Sequence, residues 1–155
     1  MAHERFGFNY RLPDFSAALG LVQLSRLPEL LEKRRRVARW YAEALADEDG
    51  VLLPPEPAAG RRPGWFVYVV QPIDAQPGRR SRVLEHLRAH GIGCSNYFPP
   101  IHLQPFYRER YGYQPGMFPV CERVAARTVA LPFHTLLSQA DVEEVVETLK
   151  TALTL

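Results

Sequence analysis

From Phe15 to Leu24 the apolar positions follow two helical stripes at once. Phe15, Ala18, Leu19 and Val22 keep one 3.6-residue period, and Ala17, Leu21 and Leu24 keep a second. Pro13 and Asp14 mark the start of this helix. Because it is apolar nearly all round, both sides are expected to be buried, either in a large core or against another subunit. A second, longer helix is predicted to open at Pro28, carry Leu30, Val37, Tyr41 and Leu45 on one face, and end near Gly50.

Leu52 to Gly64 (LLPPEPAAGRRPG) is dense in proline and glycine and reads as a loop. After it, Trp65 to Ile73 (WFVYVVQPI) is the clearest strand, rich in aromatic and β-branched residues. A helix follows from about Ser81, with Val83, Leu84 and Leu87 facing inward and Gly91 just past its end. Ile92 to Phe98 reads as a short strand stopped by Pro99 and Pro100. Gln104 to Val120 mixes a short helix with an aromatic loop, and Cys121 to Phe133 reads as a helix running into a short strand. The last helix has the best-marked start: Ser138 and Asp141 form an S-x-x-D cap, and Val142, Val145, Val146, Leu149 and Leu153 share one stripe.

Three short strands separated by helices cannot make a wide parallel sheet. The pattern predicts an α+β fold: a small, three-stranded, mainly antiparallel sheet with helices on one face, preceded by a two-helix segment. With 155 residues, 46% of them hydrophobic and 23% charged, the chain has the composition of one soluble globular domain, residues 1–155.

The net charge of +2 comes from 17 arginines and only two lysines, Lys33 and Lys150. The densest basic cluster is interleaved with acids at helical spacing: Glu29 with Lys33, Glu32 with Arg36, and Arg39 with Glu43. That suits a solvated helix face better than a phosphate track and argues against nucleic acid as a partner. No apolar run approaches the ~18 residues needed to span a bilayer, and the first ten residues carry no signal-peptide core. The expected compartment is therefore the cytoplasm. Cys94 and Cys121 match no metal or redox spacing and read as reduced, buried thiols.

His86 and His90 share an i,i+4 spacing, but no third ligand and no H-E-x-x-H order accompanies them, so no metal site is expected. Cys94, His102 and Glu109 supply the residue types of a cysteine nucleophile without its local signature. No glycine-rich phosphate loop of either familiar kind is present. Two stretches stand out instead: Gly7 to Arg11 (GFNYR) and Asn96 to Tyr107 (NYFPPIHLQPFY). Both set amide, phenol, guanidinium or imidazole groups in a rigid proline or glycine framework.

On three stretches taken together, Phe6 to Arg35, Gly91 to Tyr107 and Phe118 to Phe133, the chain resembles the C-terminal part of the DegT/DnrJ/EryC1/StrS sugar aminotransferases. The resemblance runs in order from about Glu4 to the last helix; Asn96 stands where many relatives have histidine, which leaves the substrate preference more open and fits perosamine-synthase-like members somewhat better. It implies the small domain of a fold-type I transferase that uses pyridoxal phosphate to move an amino group, usually from glutamate, to a keto group on a nucleotide-linked sugar. It also implies that the large domain, with the Schiff-base lysine and the acid facing the pyridine nitrogen, would precede Met1. Neither Lys33 nor Lys150 matches that lysine, so no catalytic residue is assigned and the chain alone is expected to be inactive.

By the same resemblance, Asn9 would reach across a dimer to the cofactor phosphate. Arg11 would lie near the substrate mouth, and Tyr97 and His102 would stand near the nucleotide sugar. The expected partners are a second copy or the large domain, through the first helix. Two other readings remain: a stand-alone dimerisation or interaction module derived from that domain, and a non-catalytic sugar-nucleotide binder.

Overall fold

The computed structural model describes residues 10–73, 76 and 78–155. Helix α1 (Asp14–Ser25) begins where Pro13 and Asp14 place it, and α2 (Leu27–Ala44) follows after a single residue, Arg26, with Pro28 in its first turn. Strand β1 (Val51–Leu52), strand β2 (Tyr68–Pro72) and helix α3 (Arg79–Ala89) come next. A 3-10 turn (Ile101–Leu103) leads into α4 (Pro105–Tyr111), α5 (Pro119–Ala125), β3 (Val129–Leu131) and α6 (Gln139–Thr154).

The three strands form one sheet in the order β1-β2-β3, antiparallel at both seams. Val51 faces Pro72 and Leu52 faces Gln71, while Tyr68, Val69 and Val70 face Leu131, Ala130 and Val129. The α+β class and the antiparallel sheet are as expected, but two strand assignments change. The first strand lies at the head of the stretch read as loop, where Val51 and Leu52 pair before the prolines begin. Ile92 to Phe98 contributes only one bridge, Ser95 to Ala130, because the chain turns away toward Pro99 instead of continuing along β3.

Burial alternates along β2: Tyr68, Val70 and Pro72 are buried, and Val69 and Gln71 are half-exposed. The inner face meets α2 through Val37, Ala38 and Tyr41, α3 through Val83, Leu84 and Leu87, and α6 through Val142, Val145, Val146, Leu149 and Ala152. Helix α6 packs against both α2 and α3. Aromatic rings tie the layers together: Tyr68 stacks on Tyr41 at 4.8 Å, on Trp65 at 5.8 Å and on Phe133 at 6.3 Å. The Tyr41 hydroxyl donates to the Pro132 carbonyl at 2.8 Å. Burial raises both phenol pKa values, pushing that of Tyr68 up to about 12.

Helix α2 stops at Ala44, short of Gly50, although Leu45 is still buried. On its outer face Glu29–Lys33 (2.6 Å) and Arg39–Glu43 (3.7 Å) form as expected. Glu32 pairs with Arg35 rather than Arg36, whose guanidinium lies 5.3 Å from the Trp40 ring instead. Helix α3 ends in a paired turn: Ile92 N–H donates to Leu87 O and Gly91 N–H to Arg88 O, both at 3.0 Å. Gly91 holds φ at +76°, a conformation that favours glycine.

The first helix departs from expectation. None of its residues is buried; Phe15 is 84% exposed and Leu21 69%. Leu19, Val22 and Leu24 are also open, so among the described residues the large side chains of both apolar stripes lie bare, and Ala17 is half-buried. The physical reason is geometric: the core closes around α2, α3 and α6, and α1 meets the rest chiefly through its junction with α2. No helix among the described residues is long and apolar enough to cross a membrane.

Candidate functional site

The Tyr97–His102 loop crosses from the end of the Ser95 bridge to the 3-10 turn, and a different residue of the chain fastens each end. At the first end, the Tyr97 N–H donates to Thr128 Oγ1 at 3.1 Å, and the Thr128 hydroxyl donates back to the Tyr97 carbonyl at 2.9 Å. Thr128 is buried just ahead of β3, so this small hydroxyl replaces the ladder bonds that the loop cannot make. The Tyr97 ring is half-buried and stacks on Phe98 at 4.5 Å.

At the second end, His102 is only 8% exposed, and its Nε2 lies 3.0 Å from Glu122 Oε1. Its ring meets Phe118 edge-on at 4.7 Å and Tyr113 at 6.2 Å. The imidazole read from sequence as a substrate contact thus already has a partner within the chain. Glu122 also accepts from the Gly116 and Phe118 N–H groups. The Gly116 N–H does most to hold its carboxyl below the usual range; the His102 and Phe118 bonds add to this, while partial desolvation opposes it.

Beside His102 lies an open hollow of about 350 Å³ lined by Ile101, His102, Tyr107, Tyr113, Phe118 and Cys121. Its walls are mostly aromatic and apolar, so it can receive a flat or apolar group against ring faces. Cys121, expected to be buried, is exposed on α5 at this rim, and Cys94 is half-buried. Burial raises the Cys94 thiol pKa against the pull of Arg88. His102 faces Glu122 rather than Glu109, so the proposed cysteine, histidine and acid set does not assemble.

The other sequence candidates separate. Arg11 is exposed just ahead of α1, and among the described residues no hydrogen bond or ion pair joins it to the loop. Asn9 lies outside the described residues. His86 on α3 and His90 just past its end have ring centroids 4.3 Å apart, and His90 Nδ1 lies 2.8 Å from the His86 carbonyl. Among the described residues no group of three or more histidine, cysteine or acidic side chains could hold a metal ion.

The residues that organise this site, Glu122 and Thr128, were not singled out in the sequence. The available signal was Phe118-Pro119-x-x-Glu122, a proline-led helix start with a carboxylate one turn in, placed to reach back to free N–H groups. For Thr128 no local signal exists, since its partner lies 31 positions away.

Pyridoxal phosphate needs a lysine for its carbonyl and donors for its phosphate. Lys33 Nζ lies 2.6 Å from Glu29 and Lys150 Nζ lies 3.3 Å from Glu147, each paired with a carboxylate of its own helix. Neither ammonium therefore stands free to take the carbonyl, and Asn9, the residue expected at the phosphate, lies outside the described residues.

Comparison with known proteins places these features in a family. The profile of the DegT/DnrJ/EryC1/StrS aminotransferase family matches residues 1–150. The chain is 37% identical over 134 residues to dTDP-4-dehydro-2,3,6-trideoxy-D-glucose 4-aminotransferase of Saccharopolyspora spinosa, covering 86% of this chain and 33% of that protein. It is 32% identical over 143 residues to GDP-perosamine synthase of Caulobacter vibrioides, covering 92% of this chain and 38% of that one. The crystal structure of the aminotransferase TlmJ from Streptoalloteichus hindustanus superposes with a TM-score of 0.80 at 34% identity, over 91% of this chain and 36% of that one. The chain thus spans only 33% to 38% of the length of the curated relatives it matches.

Proposed function

Since the chain belongs to the DegT/DnrJ/EryC1/StrS aminotransferase family, we propose that it is the C-terminal part of a pyridoxal-phosphate-dependent nucleotide-sugar aminotransferase. The full enzyme would move an amino group from glutamate to a keto sugar carried on a nucleotide, in the cytoplasm and as a dimer. In that enzyme this domain would present the Tyr97–His102 loop to the sugar nucleotide and cover part of the active site. By itself it would catalyse no transamination.

The family match over residues 1–150, on a fold shared with solved aminotransferases, carries this reading. The state of the lysines supports its second half, because each ammonium is paired with a carboxylate on its own helix. The names of the relatives support a nucleotide sugar as substrate class: one is an aminotransferase of a dTDP-linked sugar and one makes GDP-perosamine. The test mixes the purified chain with pyridoxal phosphate, glutamate and a keto nucleotide sugar, then adds borohydride and maps the lysines by mass spectrometry. No turnover and no specific adduct is the expected result. A borohydride-fixed adduct at Lys33 or Lys150 accompanied by turnover would overturn the proposal.

The reading as an interaction module gains support from one observation, the bare α1, whose apolar stripes call for a partner surface. A non-catalytic sugar-nucleotide binder gains less, because the His102 imidazole is occupied by Glu122.

A further inference from the structure

The carboxylate of Glu122 is the meeting point of three chain segments. It accepts from the Gly116 N–H through both oxygens at 2.9 Å and from the Phe118 N–H at 3.3 Å, which fastens the turn between α4 and α5. It also meets His102 Nε2 at 3.0 Å, which fastens the 3-10 turn at the end of the Tyr97–His102 loop. Each carboxylate oxygen carries two lone pairs, so one side chain can serve all these donors. A glutamate that merely capped α5 would need only the Phe118 bond; those to Gly116 and His102 reach beyond the helix.

The segments joined in this way are the walls of the aromatic hollow. Ile101 and His102 come from the 3-10 turn, Tyr113 and Phe118 from the turn before α5, and the Tyr113 and Phe118 rings pack edge-on against the His102 imidazole. If the carboxylate let go, the 3-10 turn and the α4–α5 turn would lose their shared anchor. We propose that Glu122 is the positioning residue of this site: through His102, Gly116 and Phe118 it sets the loop and the hollow in the one arrangement offered to a nucleotide sugar. The purpose assigned to that arrangement rests on the function proposed above; the latch itself does not.

The experiment is nitrogen-15 NMR on the 155-residue chain, comparing the wild type with Glu122→Gln and, as a surface control, Glu147→Gln. In the wild type the His102 ring should be a donor at Nε2 with a slowly exchanging proton, and the Gly116 and Phe118 amides should be protected. Glutamine replaces one acceptor oxygen with a donor NH₂, so in Glu122→Gln the exchange of both amides and of the His102 ring proton should quicken about tenfold or more. The Val70 and Leu149 amides should change less than about twofold, as expected for a local release rather than a loss of global stability. Glu147→Gln should leave all of these unchanged.

The proposal is overturned if Glu122→Gln leaves Gly116, Phe118 and His102 as they were, or if Val70 and Leu149 quicken by the same factor. Should that variant not fold, the wild type decides alone: a His102 ring without a proton on Nε2 overturns the latch, and a protected one supports it. No substrate or cofactor enters these readouts, so their failure would leave the proposed function standing. The borohydride experiment tests that function separately.

Discussion

Thr128 uses one hydroxyl to satisfy two backbone groups. Its oxygen accepts from the Tyr97 N–H at 3.1 Å, and its single proton goes to the Tyr97 carbonyl at 2.9 Å in preference to Ala125 O at 3.4 Å. Thr128→Val keeps the shape, removes both bonds, and strands a donor and an acceptor at the loop's first anchor. The cost should be about 1–3 kcal/mol, read as a lower urea midpoint, while Thr128→Ser should recover most of it. Equal midpoints for wild type and Thr128→Val would show that the hydroxyl does not hold the loop. The Tyr97–His102 stretch was legible in the sequence as a rigid loop because polar rings stand there in a proline framework; the roles expected of the two residues came from the resemblance alone. Their anchors were not legible, because they lie 31 and 20 positions away and only the tertiary fold brings them close. The same gap hid the His102 partner: in the fold the imidazole Nε2 lies 3.0 Å from Glu122.

Among the elements, those whose signals are local were readable and those that depend on pairing were not. The Ser138 cap is of the first kind: Ser138 Oγ accepts from the Asp141 N–H at 3.2 Å, and the Asp141 carboxylate accepts from the Ser138 N–H at 2.7 Å. The bonds from Ser138 hold the Asp141 carboxyl below its usual range. Helix α6 supplies five buried residues to the core, so its first turn matters beyond its own length. Ser138→Ala should cost about 1 kcal/mol, seen as a lower denaturant midpoint with an unchanged slope. A midpoint equal to wild type would mean that packing alone sets the start of α6. Strand β1 is of the second kind. Two residues ahead of a proline-rich stretch carry no periodicity, and Val51 becomes a strand residue only because Pro72 and Gln71 lie opposite the pair. Ile92 to Phe98 is the converse: its β-like composition yields a single bridge, because partner availability decides pairing and β-propensity follows it.

At the scale of the whole molecule the unresolved balance is that of α1. Fully burying Phe15, Leu19, Leu21, Val22 and Leu24 would contribute about 1.5–3 kcal/mol each, on the order of 10 kcal/mol in all. Bringing two chains together costs an estimated 4–15 kcal/mol. Two α1 helices laid together can cover only one stripe on each, which amounts to about the same 10 kcal/mol. Such a pair should therefore associate only weakly, whereas a domain joined covalently to α1 would escape most of the association cost. The sequence signalled this surface, since two apolar stripes on one helix demand cover. It could not say whether the cover lay within the chain, and among the described residues none buries these side chains. The isolated chain should therefore show an apparent mass by light scattering that rises with concentration in the micromolar to millimolar range. Placing charges on both stripes at once, with Phe15→Glu and Leu21→Lys, should return it toward the monomer mass without lowering its melting temperature, because neither side chain is part of the core. A wild-type chain that stays a well-behaved monomer throughout that range would remove α1 as a surface for pairing between copies of this chain. The Glu122 latch would be untouched by that result, since its bonds join the 3-10 turn to the α4–α5 turn and none reaches α1.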